Sequence, residues 1–200
     1  MNRIEHMRRH EMPLPAGYMP NPEGHLGNPR DGYHFHWTRN QLADLPGCSV
    51  LDVGCWDGWL DFLLIGAGHF VHGVELMPNL ALAAIAYAQK HGHESYCIYQ
   101  GFWDEIGIPR YYDVVTCFET LEHVDLGLVP AWIAKMEAVA TKRVLISLPD
   151  QDHRDNAQHQ WTPTLALCHD LFVGKRNLKI EYKDYSGTEI PANLFIRWDK

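Results

Sequence analysis

The chain has 200 residues, 46% of them hydrophobic and 21% charged, with a formal net charge of -8 at pH 7. That length suits one globular domain with a large core, and the composition excludes a disordered chain. The acidic balance argues against a groove for nucleic-acid phosphates, which needs a basic stripe; the tight basic pairs are Arg8–Arg9, Lys142–Arg143 and Lys175–Arg176.

Residues 1–40 are rich in Pro, Gly, His and aromatics (Tyr18, Tyr33, Phe35, Trp37), which suits an arm or lid ahead of a domain over 41–200. Pro46-Gly47 breaks the chain before the first predicted strand, 48–53. A helix follows over 58–66, ending near Gly66 or Gly68, and then a strand over 69–74. Pro78 opens an alanine-rich helix over 79–91 that stops at Gly92. Further strands are predicted at 94–99 and 112–118, a helix at 130–141, and a strand at 143–148 stopped by Pro149. Strand–helix alternation of this kind predicts an α/β fold, a Rossmann-like doubly wound sheet that is mostly parallel. The runs 178–182 and 193–198, joined through a connection containing Gly187, read as a hairpin that adds an antiparallel strand at the C-terminal end.

The five cysteines (Cys48, Cys55, Cys97, Cys117, Cys168) show no Cys-x-x-Cys and no metal-ligand spacing. Most sit in or beside apolar runs, where a thiol behaves as a small hydrophobe. An odd count, with no apolar leader in 1–20 and no run long enough to span a bilayer, predicts a cytoplasmic setting and no membrane partner. Thirteen histidines raise the question of a metal, through His34-Phe35-His36 and the set His153, His159, His169. No His-Glu-x-x-His is present and no pair has a carboxylate at ligand spacing, so no metal is expected.

The chemistry concentrates in the turn Gly54-Cys55-Trp56-Asp57-Gly58, between the first strand and its helix. In a doubly wound sheet that turn opens to a nucleotide-like ligand, and glycine there leaves the backbone bare. Glu75 ends the second apolar run, where a carboxylate can accept hydrogen bonds from both ribose hydroxyls. Trp56 at the middle glycine position and acidic Asp57 are poor company for a pyrophosphate, which argues against a nicotinamide dehydrogenase. No Gly-Lys-Ser/Thr follows, which excludes a P-loop. The zwitterionic arm of S-adenosylmethionine tolerates both, and its ammonium can use Asp52 or an adjacent carbonyl.

The string Leu51-Asp52-Val53-Gly54-Cys55-x-x-Gly58 resembles the first motif of class I S-adenosylmethionine-dependent methyltransferases, and the C-terminal hairpin resembles their fold. Gln100-Gly101-Phe102-Trp103-Asp104 stands where that family often has a Gly-Asp-Ala-like run. Phe102 replaces the usual acid, which leaves the adenine to the backbone amides of Phe102 and Trp103, to Asp104, or to an aromatic face; alternatively the two rings only cap the sheet edge. Phe118-Glu119-Thr120-Leu121-Glu122-His123-Val124 resembles the Glu-x-Leu-Glu-His-Val run of many small-molecule methyltransferases. These matches cover about residues 48–150.

The resemblance implies S-adenosylmethionine as cofactor, S-adenosylhomocysteine as product, and a donor site made of Asp52, Gly54, Cys55, Trp56, Gly58, Glu75, Leu76, Gly101, Phe102, Trp103 and Glu119. It implies His123 and Glu119 as the catalytic candidates: His123 as a base for the acceptor proton or as a loop-orienting group, and Glu119 and Glu122 as positioning carboxylates or a helix-start charge. The strings of DNA amino- and cytosine-C5-methylating enzymes are missing, which favours a small-molecule acceptor, placed by 15–40 and 149–172. A non-catalytic S-adenosylmethionine-binding subunit and a protein or RNA methyltransferase are the alternatives; the oligomeric state stays open.

Overall fold

The computed structural model describes residues 13–150, 158–185 and 192–200. In chain order the elements are α1 (Pro22–Leu26), α2 (Pro29–Gln41), β1 (Ser49–Val53), α3 (Trp59–Gly66), β2 (Phe70–Glu75), α4 (Pro78–Lys90), β3 (Ile98–Gln100), β4 (Tyr112–Phe118), a single 3-10 turn (Leu121–His123), α5 (Val129–Val139), β5 (Ala140–Pro149), α6 (Leu165–Phe172), β6 (Lys179–Lys183) and β7 (Asn193–Asp199). The strands form one sheet in the order β3-β2-β1-β4-β5-β7-β6. Strands β1 to β5 pair in parallel, and β7 runs antiparallel to both β5 and β6. The mostly parallel sheet and its antiparallel C-terminal strand follow the sequence expectation; the Gly187 connection lies outside the described residues.

The central strands are apolar on both faces because both are covered. Leu51, Val53, Val115 and Ile146 turn to one side, against Ile133 and Met136 of α5 and Trp198. Val50, Val114, Leu145 and Phe195 turn to the other, against Leu60 and Leu64 of α3 and Phe35 and Trp37 of α2. Alternate residues of one strand thus feed two cores, which is the pleat's period of two. The chain runs outward from β1 to β2 and β3, then crosses back to β4. The carboxyl ends of β1 and β4 therefore flank the point where strand order reverses, the place such sheets leave a ligand crevice.

Three spans differ from the sequence expectation. The predicted strand 94–99 shrinks to Ile98–Gln100, because a turn from His93 to Tyr96 sends the Tyr96 ring into the core beside Phe62. Residues 165–172 form α6, capped by the Thr164 hydroxyl, which accepts from the Leu167 N–H. Within 13–40, two helices start at repeated Asn-Pro pairs. Asn28 accepts from the N–H groups of Arg30 and Asp31, and Pro29 follows at the first helical position, where its missing N–H costs nothing. Arg143 locks the end of α2 to the sheet, with paired bonds to Asp44 at 2.9 and 3.0 Å and one to Asp199 at 2.8 Å.

Candidate active site

Gly54 follows β1 with φ 81°, and a Cβ built on it would overlap the Thr120 side chain after β4. The bare backbone thus lets the two central strand ends meet. Trp56, at φ 57°, aims its N–H at Oε2 of Glu75 (2.9 Å), and the Met77 N–H reaches Oε1 (2.7 Å). Backbone donors thus orient both carboxylate oxygens, with the Leu76 N–H as a further donor. Burial pushes the Glu75 carboxyl up to about 7, against the pull of the Met77 and Trp56 N–H groups. Glu75 lines a cavity of about 660 Å³, within the range of small-molecule sites.

Leu76, Gly101, Phe102 and Trp103 line the same cavity. The Trp103 ring belongs to the core: it is buried, its Nε1 donates to the Trp132 carbonyl (3.3 Å), and the Lys135 ammonium lies 4.6 Å from its centre. Lys135 also donates to the Trp103 and Ile106 carbonyls. What Trp103 presents to a ligand is therefore backbone more than ring. Gly58, expected at the donor, is not among the residues lining either cavity; its φ is 78°, and a Cβ on it would meet the Tyr96 hydroxyl.

A second cavity of about 400 Å³ shares Gly54, Trp56, Glu119 and His123 with the first and adds Asp52, Cys55, His25, Arg30 and His34. Asp52 Oδ1 accepts from the Thr116 hydroxyl at 2.5 Å. Burial pushes the Asp52 carboxyl up and drives Asp61, next to it, well above the carboxylate range. The Tyr96 hydroxyl donates to Asp61 at 2.6 Å. Asp57 is buried as a cap, accepting from the Tyr18 hydroxyl (2.5 Å) and the Trp59 N–H (3.2 Å). Burial and nearby carboxylates push the Cys55 thiol well up, so it lines the cavity as an inert group.

Glu119 ends β4 in the left-handed region, φ 47°, uncommon for a side chain of its size. Its Oε1 accepts from the Ser147 hydroxyl (2.8 Å) and from Asn193 Nδ2 (2.7 Å). Burial opposes its charge, but bonds from His34 and Ser147 and the charges of His34 and Arg30 hold the carboxyl below its usual range. Glu122 shows the reverse: burial, then the nearby Glu119 charge, push it well above. His123 sits at the junction of both cavities, with Nε2 3.7 Å from Glu122 Oε1 and Nδ1 3.4 Å from the Gln158 carbonyl. Among the described residues, Glu122, His123 and His159 bring one ligand atom each within 4.8 Å of one another. His36 points to solvent, His169 is exposed on α6, and His153 lies outside the described residues.

Residues 21–179 match the family model of a methyltransferase domain. The chain belongs to that family. The methyltransferase is 38% identical over 89 residues to the ubiquinone biosynthesis O-methyltransferase of Paraburkholderia phytofirmans, covering 41% of this chain and 36% of that one. It is 29% identical over 136 residues to the enzyme of the same name from Glaesserella parasuis, covering 62% and 56%. The chain thus spans about a third to a half of the curated relatives it matches. Its fold is similar to that of magnesium protoporphyrin IX methyltransferase from Synechocystis PCC 6803 with bound S-adenosylhomocysteine, at TM-score 0.68 and 16% identity, over 99% of this chain and 94% of that one. The class I methyltransferase fold is thereby shown, with S-adenosylmethionine as the family's methyl donor.

The methyltransferase brings the sequence-predicted Asp52, Gly54, Cys55, Trp56, Glu75, Leu76, Gly101, Phe102, Trp103, Glu119 and His123 to the rims of two adjoining cavities. Sequence reasoning gave no donor-site role to His25, Arg30 and His34, supplied by α1 and α2. The signal was present in the Asn21-Pro22 and Asn28-Pro29 pairs, which mark helix starts inside a stretch otherwise read as an arm.

Proposed function

We propose that this methyltransferase moves the methyl group of S-adenosylmethionine to an oxygen of a small-molecule acceptor. One observation carries the reading. Glu75 is a buried, strand-end carboxylate on the wall of the larger cavity, both of its oxygens oriented by backbone donors, where a vicinal diol can donate to it. The adenosine then fills the larger cavity, its base beside Phe102 and the Trp103 backbone. The amino-acid arm passes over Gly54 toward Asp52, with Arg30 as partner for its carboxylate.

Methyl transfer breaks the sulfonium S–CH₃ bond, whose electron pair stays on sulfur, and forms an O–CH₃ bond from an acceptor lone pair while the acceptor proton departs. The donor is already activated, so the protein supplies proximity and alignment. Glu119 and His123 lie where the two cavities join, on the side open to an acceptor. Oxygen as the acceptor atom follows the names of the ubiquinone biosynthesis relatives, which are O-methyltransferases. Residues 15–40 serve as the cover of the second cavity, since α1 and α2 contribute His25, Arg30 and His34 to its wall. Five free cysteines and the lack of a described helix able to cross a membrane support a cytoplasmic setting.

The test is calorimetry with S-adenosylhomocysteine, followed by a methyl-transfer screen over phenols, alcohols, amines and carbon acids. Donor binding with methylation of hydroxyl acceptors supports the proposal. Methylation confined to amines or carbon acids rejects the oxygen assignment, and absence of donor binding rejects the whole.

A further inference from the structure

The 3-10 turn after β4 carries more than an acceptor-facing histidine. Glu122 is buried, 1% exposed, and its Oε2 has no hydrogen-bond partner among the described residues. An orphaned carboxylate oxygen in the interior is costly unless a donor or a cation completes it. Beside it stand two imidazoles: His123, with Nε2 3.7 Å from Glu122 Oε1, and His159, whose ring meets His123 edge to face at 4.9 Å.

We propose that Glu122, His123 and His159 form a binding site for a divalent transition-metal ion at the edge of the acceptor cavity. The three ligand atoms already lie within 4.8 Å of one another. A cation bound at about 2.0–2.2 Å from each ligand needs separations of roughly 3–4 Å, so small side-chain rotations close the site. The pair Glu122–His123 has that spacing now. The support is preorganised. Gln160 N–H donates to the Glu122 carbonyl (2.7 Å) and Trp161 Nε1 to the Leu121 carbonyl (3.0 Å), pinning the segment that carries His159 against the turn. The Gln158 carbonyl, 3.4 Å from His123 Nδ1, favours the proton on that nitrogen and turns the Nε2 lone pair to the metal, the usual arrangement around ligating histidines.

Two imidazoles and one carboxylate suit Zn²⁺, Co²⁺ or Fe²⁺ better than Mg²⁺ or Ca²⁺, which prefer oxygen alone. Three protein ligands leave open positions, and His123 and Gln158 line both cavities, so those positions face the space assigned to the acceptor. An acceptor oxygen bound there would be held beside the methyl donor and made more acidic, with His123 acting as ligand instead of base. That role rests on the proposed methyl transfer; cation binding does not. Sequence spacing hides the site because His159 comes from a distant segment.

The experiment uses the full chain stripped with a chelator and then titrated with Co²⁺, followed by calorimetry and by visible absorption of the bound ion. The proposal expects one equivalent bound, weakened at least tenfold in both Glu122→Gln and His159→Ala and unchanged in His169→Ala, with Mg²⁺ failing to compete. Absence of Co²⁺ binding, or binding indifferent to His159→Ala, overturns it. If Glu122→Gln does not fold by circular dichroism, His159→Ala decides alone. Binding of S-adenosylhomocysteine measured with chelator present separates the two ideas: donor binding without any Co²⁺ site rejects the metal and keeps the methyltransferase reading. Co²⁺ binding without donor binding does the reverse.

Discussion

His34 and Glu119 are joined through one hydroxyl. Ser147 Oγ donates to Glu119 Oε1 at 2.8 Å and stands 2.8 Å from His34 Nε2, while His34 Nδ1 is 2.8 Å from the Arg30 carbonyl. The Nδ1 facing a carbonyl donates to it, and Nε2 lies 3.8 Å from Glu119 Oε1, so Ser147 and the His34 ring together tie helix α2 to the end of β4.

Replacing that ring tests the tie. In His34→Gln, Glu119 loses the His34 contribution that holds its carboxyl down, and the carboxyl should rise toward the ordinary glutamate value of about 4.3. A carboxyl held low in the folded state stabilises the fold above its unfolded value, and the contribution is lost as pH falls through the folded one. Acid unfolding of the wild type should therefore set in at lower pH than that of the variant. Urea titrations between about pH 3 and 7 check this, with a loss of about 1–3 kcal/mol expected near neutrality.

Glu75 carries the opposite sign. Burial holds its carboxyl at about 7, so the empty protein is stabilised below the unfolded value and loses that contribution as pH rises through 7. Ribose hydroxyls donate to the ionised form, so S-adenosylhomocysteine should bind more tightly as pH rises from about 6 to 8 and release a proton. Glu75→Gln should weaken binding at least tenfold and flatten that dependence. Calorimetry in buffers of different ionisation heat measures both.

Gly54→Ala should lose donor binding and stability together, since its Cβ overlaps Thr120 and its φ is 81°. The double variant Gly54→Ala with Thr120→Gly removes the overlap and should regain part of the melting temperature, leaving a left-handed strain of about 1–2 kcal/mol. No recovery would place the fault elsewhere in the turn.

His123→Ala should reduce turnover by about 10²–10⁴-fold while S-adenosylhomocysteine affinity changes little, because the proposed reading sets His123 toward the acceptor and Glu75 on the donor. Single-turnover kinetics beside donor calorimetry separate the two. Loss of donor affinity equal to the loss of rate would move His123 to the donor side.

The gathering of Asp52, Gly54 and Glu75 around adjoining cavities was readable because its information is local. Asp52, Gly54 and Glu75 sit at fixed offsets from strand ends, and strand ends follow from apolar runs. The strained backbone at Trp56 and Glu119 was not readable, since positive φ at bulky residues is imposed by tertiary contacts, here the Glu75 carboxylate and the Ser147–Asn193 pair. Helix α2 was hidden for a different reason. It buries Gly32, His34, Phe35, Trp37 and Thr38, a face too mixed in polarity to show a helical stripe. Helix α6 lay in the stretch expected to vary with the acceptor, and β3 was overestimated because Tyr96 leaves the strand direction to fill a gap beside Phe62.

Strand β7, which follows β6 in the chain, is threaded between β5 and β6 and supplies Asn193 to Glu119. A nascent chain emerging from the ribosome can therefore pair β1 to β5 early, yet Glu119 lacks its Asn193 donor until residue 193 is out and β7 has slotted beside β5. Before that moment the β5 edge is open, apolar and suited to pairing with a second unfinished chain. Completion of the site thus waits on residue 193, and ribosome stalling short of it should yield a species with an assembled glycine turn, an unfinished Glu119 environment and a tendency to aggregate.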